Sequence, residues 1–331
     1  MTENEEEATA VCAKNWKFGT QRSLGRSQSG HFQADTNEEP KMTASAQKTS
    51  PLLIRGFGLS HVGAHRKRNE DAIHIATDGK FAVLADGMGG HLGGQEASGM
   101  AIRLMRAQIE DYLALGQSER PEVDEFLRNA FAETSAQIHA EGKRNPALAN
   151  MGATLICLIV IDASICVAHS GDSRGYFIRN SQIFQVTPDH TLENEQILAG
   201  RPRSEVELMT LKHVLSRNVG MFPVAPPDVV KFPVLSGDMW MLCSDGLSNK
   251  LKPSEILWHF EQGRGNLPKT AKGLIEHAFH AGGEDNISVC LIGIDTVERE
   301  STTAQNLGLS NNATKASKTK KTANLAVVKQ K

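Results

Sequence analysis

The chain has 331 residues, 40 % of them apolar and 22 % charged, with a formal net charge of −2. That balance excludes a broad basic face for nucleic acid, and the longest apolar run, Leu155 to Ile161, is far too short to span a membrane. The opening MTENEEEATA has no apolar h-region and the five cysteines form no CxxC pair, so a reduced, cytoplasmic setting is expected.

Residues 1–50 are rich in Ser, Thr, Gln, Glu and Lys without a sustained period, and read as a disordered extension. Leu52-Leu53-Ile54 and Phe57 open a strand. Strand segments around Val62 and around Ala72, Ile73 and Ile75 then flank a polar loop, Arg66 to Asp71. Asp78-Gly79 predicts a hairpin turn into the apolar run Phe81 to Ala85. That run stops at Asp86, followed by Gly87, Gly89, Gly90, Gly93 and Gly94, where other groups can close on the backbone.

Ala97, Met100, Ala101, Leu104, Met105 and Ile109 recur at helical spacing, which predicts a helix from about Gln95 to Tyr112. A second is expected from Val123 to Glu141, with Pro121 in its first turn and Gly142 at its end. From Ala153 the period becomes that of strands: Thr154 to Ile161, Ile165 to Ala168, and two more around Asn180-Ser181. Short sequential strands with tight turns mean antiparallel pairing. Thr187 to Pro227 reads as a surface insertion with a capped helical piece at Glu193 to Leu198. The strand Asp238 to Cys243 ends in Ser244-Asp245-Gly246. Helices near Pro253–Gln262 and Lys269–Ala281 follow, and Glu284-Asp285-Asn286 leads into a last strand, Ile287 to Ile294. The Lys-rich stretch beyond Glu300 reads as a disordered tail.

Strands thus begin or end at carboxylates: Asp71, Asp86, Asp245 and Asp285, with Asp172 as a fifth. Each alone could be a helix cap or a solvated loop acid. Gathered at one sheet edge they would repel, and a cation would be needed to hold them there. Oxygen ligands without a His/Cys set suit Mg2+ or Mn2+ better than Zn2+. Arg66, a cation near these acids, suits a bidentate grip on phosphate. Metal-assisted phosphoryl hydrolysis is the sharpest reading of the cluster.

The segments Arg66-x-x-Asn69-Glu70-Asp71, Asp86-Gly-Met-Gly-Gly-His91, Met151-Gly-Ala-Thr154, Gly171-Asp-Ser-Arg174-Gly, Ser244-Asp245-Gly-Leu and Glu284-Asp285-Asn286-Ile-Ser-Val occur in this order. Together they resemble the motifs of the metal-dependent protein phosphatases of type 2C, in their bacterial form, over roughly Gly56 to Ile294. The resemblance implies an α+β fold, a four-layer αββα sandwich of two mainly antiparallel sheets with helices outside. It implies a phosphatase domain over 51–297 with a flap at about 187–227, between the extensions 1–50 and 298–331.

It also implies two Mn2+ or Mg2+ ions and a weaker third. Asp86 would bridge the two, with the Gly87 carbonyl on one of them. Asp245 and Asp285 would hold the first ion, and Glu70 and Asp71 would serve the second. Asp172, with Asp245, would take the third. Arg66 would bind the substrate phosphate, while Asn286 and Arg174 would support the surrounding shell. The implied activity is hydrolysis of phosphoserine and phosphothreonine on proteins by a water bridging the ions, opposing a Ser/Thr kinase in signalling. The implied partners are phosphorylated proteins, with no nucleic acid and no membrane span, and the chain would be a monomer.

Two other readings stand beside this one: a phosphoprotein-binding pseudophosphatase, and a phosphatase dedicated to an anti-sigma antagonist. Loss of a metal acid would mark the first, and none is lost. Two departures stand out. Met88 occupies the place where eukaryotic relatives carry a histidine proposed as general acid, and His61 stands where many bacterial members have Asp. His91, in a Gly-rich turn, reads as structural.

Overall fold

The computed structural model describes residues 52–296, apart from Gly90, His91, Thr210 and Lys212. The expected extensions at 1–50 and 298–331, and His91, lie outside the described residues. One sheet contains β1 (Leu52–His61), β11 (Ile287–Thr296), β10 (Met239–Cys243), β7 (Arg174–Arg179) and β8 (Gln182–Gln185), in that order. The other runs β2 (Asp71–Ile75), β3 (Phe81–Met88), β5 (Leu155–Ile161), β6 (Ser164–Ser170) and β9 (Asp228–Pro233), and the short β4 (Gly152–Ala153) pairs with the end of β3. Every pairing is antiparallel.

Alternate residues on a strand face opposite ways, so a strand buried on both sides is apolar throughout. Ala82, Leu84, Ile156 and Leu158 of one sheet meet Phe177, Trp240, Leu242 and Ile292 of the other, forming the middle of the sandwich. Their sequence neighbours Val83, Ala85, Leu155 and Cys157 point outward instead. There they pack on Ala101, Met105, Leu127 and Phe131, which belong to α1 (Gly93–Ala114) and α2 (Val123–Arg144). On the far side, Met241, Cys243, Val289 and Leu291 meet Ile256, Phe260, Ala271 and Leu274 of α6 (Pro253–Gly263) and α7 (Leu267–His280). Three apolar interfaces between four layers give the αββα sandwich that the motifs implied. The four described cysteines, Cys157, Cys166, Cys243 and Cys290, are buried and unpaired within it. Among the described residues no helix is long and apolar enough to cross a membrane.

Three local readings need correction. Gly142 does not end α2, which continues to Arg144. A Cβ at Gly142 would stand 3.2 Å from the Leu148 carbonyl, so the glycine lets the 3-10 turn Pro146–Leu148 fold across the helix. Pro121 lies ahead of the capping residue Glu122 and not in the first turn. Finally, 187–227 is more than a surface insertion. It carries α3 (Leu192–Leu198), capped by Thr191 Oγ1, which accepts from the Asn194 N–H at 3.2 Å, and the short α4 (Arg203–Val206). Yet Val206, Val219 and Ala225 are buried, and single bridges tie Val219 to Ala153 and Leu215 to Thr191. The β9 strand that follows was not anticipated.

Candidate metal centre

Antiparallel register decides which strand ends share an edge. Asp71, the first residue of β2, lies directly opposite Asp86 near the end of β3. In the other sheet the end of β10 faces the start of β11, with Cys243 opposite Val289. Asp245, which opens the short α5 (Asp245–Ser248), and Asp285 therefore emerge side by side. The link from β6 to β7 passes from one sheet to the other and carries Asp172 across. Ser244 Oγ donates to Asp71 Oδ2 at 2.8 Å, joining the two sheet ends.

Burial, and then repulsion between neighbours, raises the pKa of Asp71, Asp86, Asp172 and Asp245. Burial, then repulsion from Asp71, Asp245, Asp172 and Asp285, holds the Asp86 carboxyl well above its usual range. Burial also pushes Asp71 up to about 7, against the lowering effect of the nearby Ser288 and Ser244 hydroxyls. Asp172 is pushed up to about 7 by burial and by Asp245. Asp245 is raised by burial and by Asp285, with the Asp86 carboxyl close enough to hydrogen-bond with it.

The backbone around them is clamped. Thr154 Oγ1 accepts from the Asp86 N–H at 3.0 Å, and the Thr154 N–H donates to the Asp86 carbonyl at 2.8 Å. Gly171, at φ +121°, lets the Asp172 turn lie against Thr154, where a Cβ would come within 2.7 Å of the threonine side chain. A Cβ on Gly94 would collide with Glu70 Oε2 and stand 2.9 Å from the Gly87 carbonyl. The Glu70 carboxylate and the Gly87 carbonyl thus open onto one spot at the head of α1.

Asn286 is tied to the backbone ahead of β2. Its Nδ2 donates to the carbonyls of Val62 (2.8 Å) and Arg68 (2.9 Å), and its Oδ1 accepts from the Glu70 N–H (2.8 Å). Arg174 forks onto Asp189 at 2.8 and 2.7 Å. Arg66 is exposed at the rim, with Nη2 2.7 Å from Asp285 Oδ2. His61 faces away from the acids: its Nδ1 accepts from the Gly63 N–H at 3.0 Å and its ring meets the edge of Phe279 on α7.

The residues present fit hard divalent cations. Every converging donor is an oxygen, and Asp71 Oδ1 is buried without a hydrogen-bond partner among the described residues. Such an atom is costly to leave unpaired, and a cation relieves it. A second cluster, His169, His190 and Asp228, has candidate ligand atoms within 4.8 Å of one another. Its two rings stack 4.3 Å apart at 16°, so their in-plane lone pairs run side by side and do not meet at a point. His190 already spends Nδ1 on the Gly171 N–H (3.2 Å) and Nε2 on Asp228 (3.2 Å), and His169 Nε2 bonds the Pro188 carbonyl (2.8 Å). This cluster is a hydrogen-bonded brace.

Sequence reasoning missed the hydroxyls. Asn69 Nδ2 donates to Ser60 Oγ (2.6 Å), Ser60 Oγ pairs with Ser288 Oγ (2.7 Å), and the Ser288 N–H donates to Ser244 Oγ (3.0 Å). For Ser244 and Ser288 the available signal was a Ser at a strand end one to three residues from an acid; Ser60 has no acid that near.

Residues 57–271 match the family described as Protein phosphatase 2C. The chain is 32 % identical over 236 residues to the serine/threonine phosphatase stp of Listeria monocytogenes, covering 71 % of this chain and 92 % of that protein. It is 34 % identical over 249 residues to the protein phosphatase PhpP of Streptococcus pneumoniae, covering 73 % and 98 %. The Mycobacterium tuberculosis serine/threonine phosphatase PstP/Ppp superposes with a TM-score of 0.65 at 28 % identity, covering 73 % of this chain and 99 % of that one. The catalytic domain of PstP, solved with two manganese ions, gives 0.62 at 28 %, covering 74 % and 100 %. Fold and centre together are those of a metal-dependent serine/threonine protein phosphatase. The chain belongs to the protein phosphatase 2C family.

Proposed function

We propose that this chain hydrolyses phosphoserine and phosphothreonine on proteins at the edge where Glu70, Asp71, Asp86, Asp172, Asp245 and Asp285 converge. The observation that carries the reading is an all-oxygen cluster in which burial, then mutual repulsion, raises the pKa of Asp71, Asp86, Asp172 and Asp245, with one buried carboxylate oxygen unpaired. Asp86 would serve both of two Mn2+ or Mg2+ ions, with the Gly87 carbonyl on one of them; Asp245 and Asp285 would complete the first, and Glu70 and Asp71 would serve the second. Asp172 with Asp245 would take a weaker third. Bound there, such ions would supply the chemistry of lowering the pKa of a water and offsetting the charge that develops on the phosphate.

The chain's own residues do the rest. Ser244 and the Thr154 clamp fix Asp71 and Asp86 in place. Arg66, at the rim beside Asp285, would fork onto the phosphate oxygens. Met88 carries no proton to give, so that position does not protonate the leaving serine or threonine oxygen. Substrates of this kind are the products of a Ser/Thr kinase, which the chain would oppose. All six acids are present, so nothing favours the pseudophosphatase.

The test is phosphate release from a phosphothreonine peptide. Wild type should turn over with Mn2+, stop on chelation and recover on re-addition. Asp86→Asn should fall at least ~100-fold, because it removes charge from the point where both ions would meet. Release that survives chelation, or an Asp86→Asn enzyme near wild-type rate, would overturn the reading.

A further inference from the structure

We infer that Met221, Phe222 and Val224 form a docking ridge for an apolar side chain of the phosphoprotein substrate, a few residues from the phosphorylated one. This rests on the phosphatase reading above and names a feature of its substrate.

The ridge adjoins the centre. Val219 bridges Ala153, and Ala153 and Gly152 pair with Gly87 and Met88 directly after Asp86. Segment 219–221 is therefore two strand spacings from β3, about 10 Å. An extended peptide advances about 3.3 Å per residue, so roughly three residues reach from one to the other. Gly152 is what allows the approach, since a Cβ there would stand 2.9 Å from Met221 Cγ.

The backbone of the ridge is held from beneath by buried groups while its side chains face outward. Ser135, fully buried in α2, donates from Oγ to the Phe222 carbonyl (2.7 Å) and accepts from the Gly220 N–H (3.0 Å). His139 Nδ1 bonds the Gly220 carbonyl (3.0 Å), and Asn218 Oδ1 accepts from the Met221 N–H (3.3 Å). Gly220 sits at φ +99° against Ile138, a conformation that L side chains rarely adopt. On this frame Met221 is 39 %, Phe222 62 % and Val224 64 % exposed. Single exposed apolar residues are ordinary, but three within four positions on a pinned backbone form a patch with low ordering cost on binding. No charged residue lies between Arg217 and Asp228, so the complement is an apolar side chain rather than an acidic or basic one.

The experiment walks one leucine through four positions on each side of phosphothreonine in a Gly/Ser peptide. It measures kcat/KM with full-length protein at saturating Mn2+, for wild type, Phe222→Ser and Val224→Ser. Each value is divided by that protein's turnover of p-nitrophenyl phosphate, which is too small to reach the ridge. Leucine about three residues away should raise wild-type kcat/KM about tenfold, mainly through KM, as burying one aliphatic side chain would. Both variants should lose that gain.

An equal gain in the variants, or none at any position, overturns the ridge. Light scattering supplies a further arm: a dimer that Phe222→Ser dissociates would make the ridge an interface between copies and overturn the proposal. Wild type inactive on p-nitrophenyl phosphate with Mn2+ would instead overturn the phosphatase reading beneath it.

Discussion

Arg66 shares its loop with Lys67 and Arg68, and its Nη2 sits 2.7 Å from Asp285 Oδ2. If it leaves that carboxylate to fork onto phosphate, the charge and also the shape of the guanidinium matter. Arg66→Ala should cost ~1.5–3 kcal/mol, about tenfold to a hundredfold in kcat/KM on a phosphopeptide. Arg66→Lys should restore only part, because an ammonium cannot reproduce the fork. Lys67→Ala should change little beyond salt dependence, and equal losses at 66 and 67 would deny Arg66 a special place. Thr154 offers a second test at this scale. Thr154→Val keeps the shape but leaves the Asp86 N–H facing a methyl group in a buried place. Urea unfolding should show a loss of ~1–3 kcal/mol, and the Mn2+ concentration for half-maximal activity should rise as Asp86 loosens.

At the scale of the element, the turn that carries Asp172 joins the two sheets and depends on Gly171. Gly171→Ala would put a side chain at φ +121° and 2.7 Å from that of Thr154. It should shift Asp172 and, if Asp172 takes the proposed third ion, remove a second phase from the Mn2+ titration, with a lower Tm. The strands themselves were legible because burial on both faces writes unbroken apolar runs such as Leu155 to Ile161. The helices were legible from period, but not the end of α2, because only the turn packing across Gly142 explains a glycine inside the helix. β9 lies just past Pro226-Pro227, where the insertion reading ended, and Val229, Val230 and Phe232 drew no assignment of their own. The acids of the centre announced themselves as charges at strand ends. The serine chain did not, because a hydroxyl in a strand is common and its partners, such as Ser60 and Ser288, lie 228 positions apart.

For the molecule as a whole, the crowded acids tie stability to pH and to metal. In the folded chain without metal, Asp71 and Asp172 hold their protons up to about 7, whereas unfolded aspartates release theirs near ~4. Between those limits the folded state binds more protons, so these groups lower stability as pH rises through that window. Divalent ions favour the ionised form and remove the penalty. The rise in Tm that Mn2+ gives over chelated protein should therefore be several degrees larger at pH 7.5 than at pH 5. His169 works in the opposite sense: burial lowers it to about 4, so its contribution weakens below ~6.5. Because that term is common to both samples, it drops out of the difference. A rise that is equal at both pH values would show that the carboxylates are not the metal's partners.

The acids come from both sheets: Glu70, Asp71 and Asp86 from one, Asp245 and Asp285 from the other. The gap between those two rows is set by the side chains that keep the sheets apart, among them Trp240, Phe177 and Leu158. The middle of the sandwich is thus a spacer gauge for the mouth. Ligand distances separate small from large divalent ions by only a few tenths of an ångström, so a gauge thinned by one side chain changes which ion sits best. Leu158→Ala should cost ~2–5 kcal/mol in unfolding free energy. It should also alter the ratio of Mn2+-supported to Mg2+-supported turnover, although it alters no ligand. If that ratio moves, ion preference is partly a property of the hydrocarbon core, and drift in that core over evolutionary time would retune the choice of ion without touching the carboxylates.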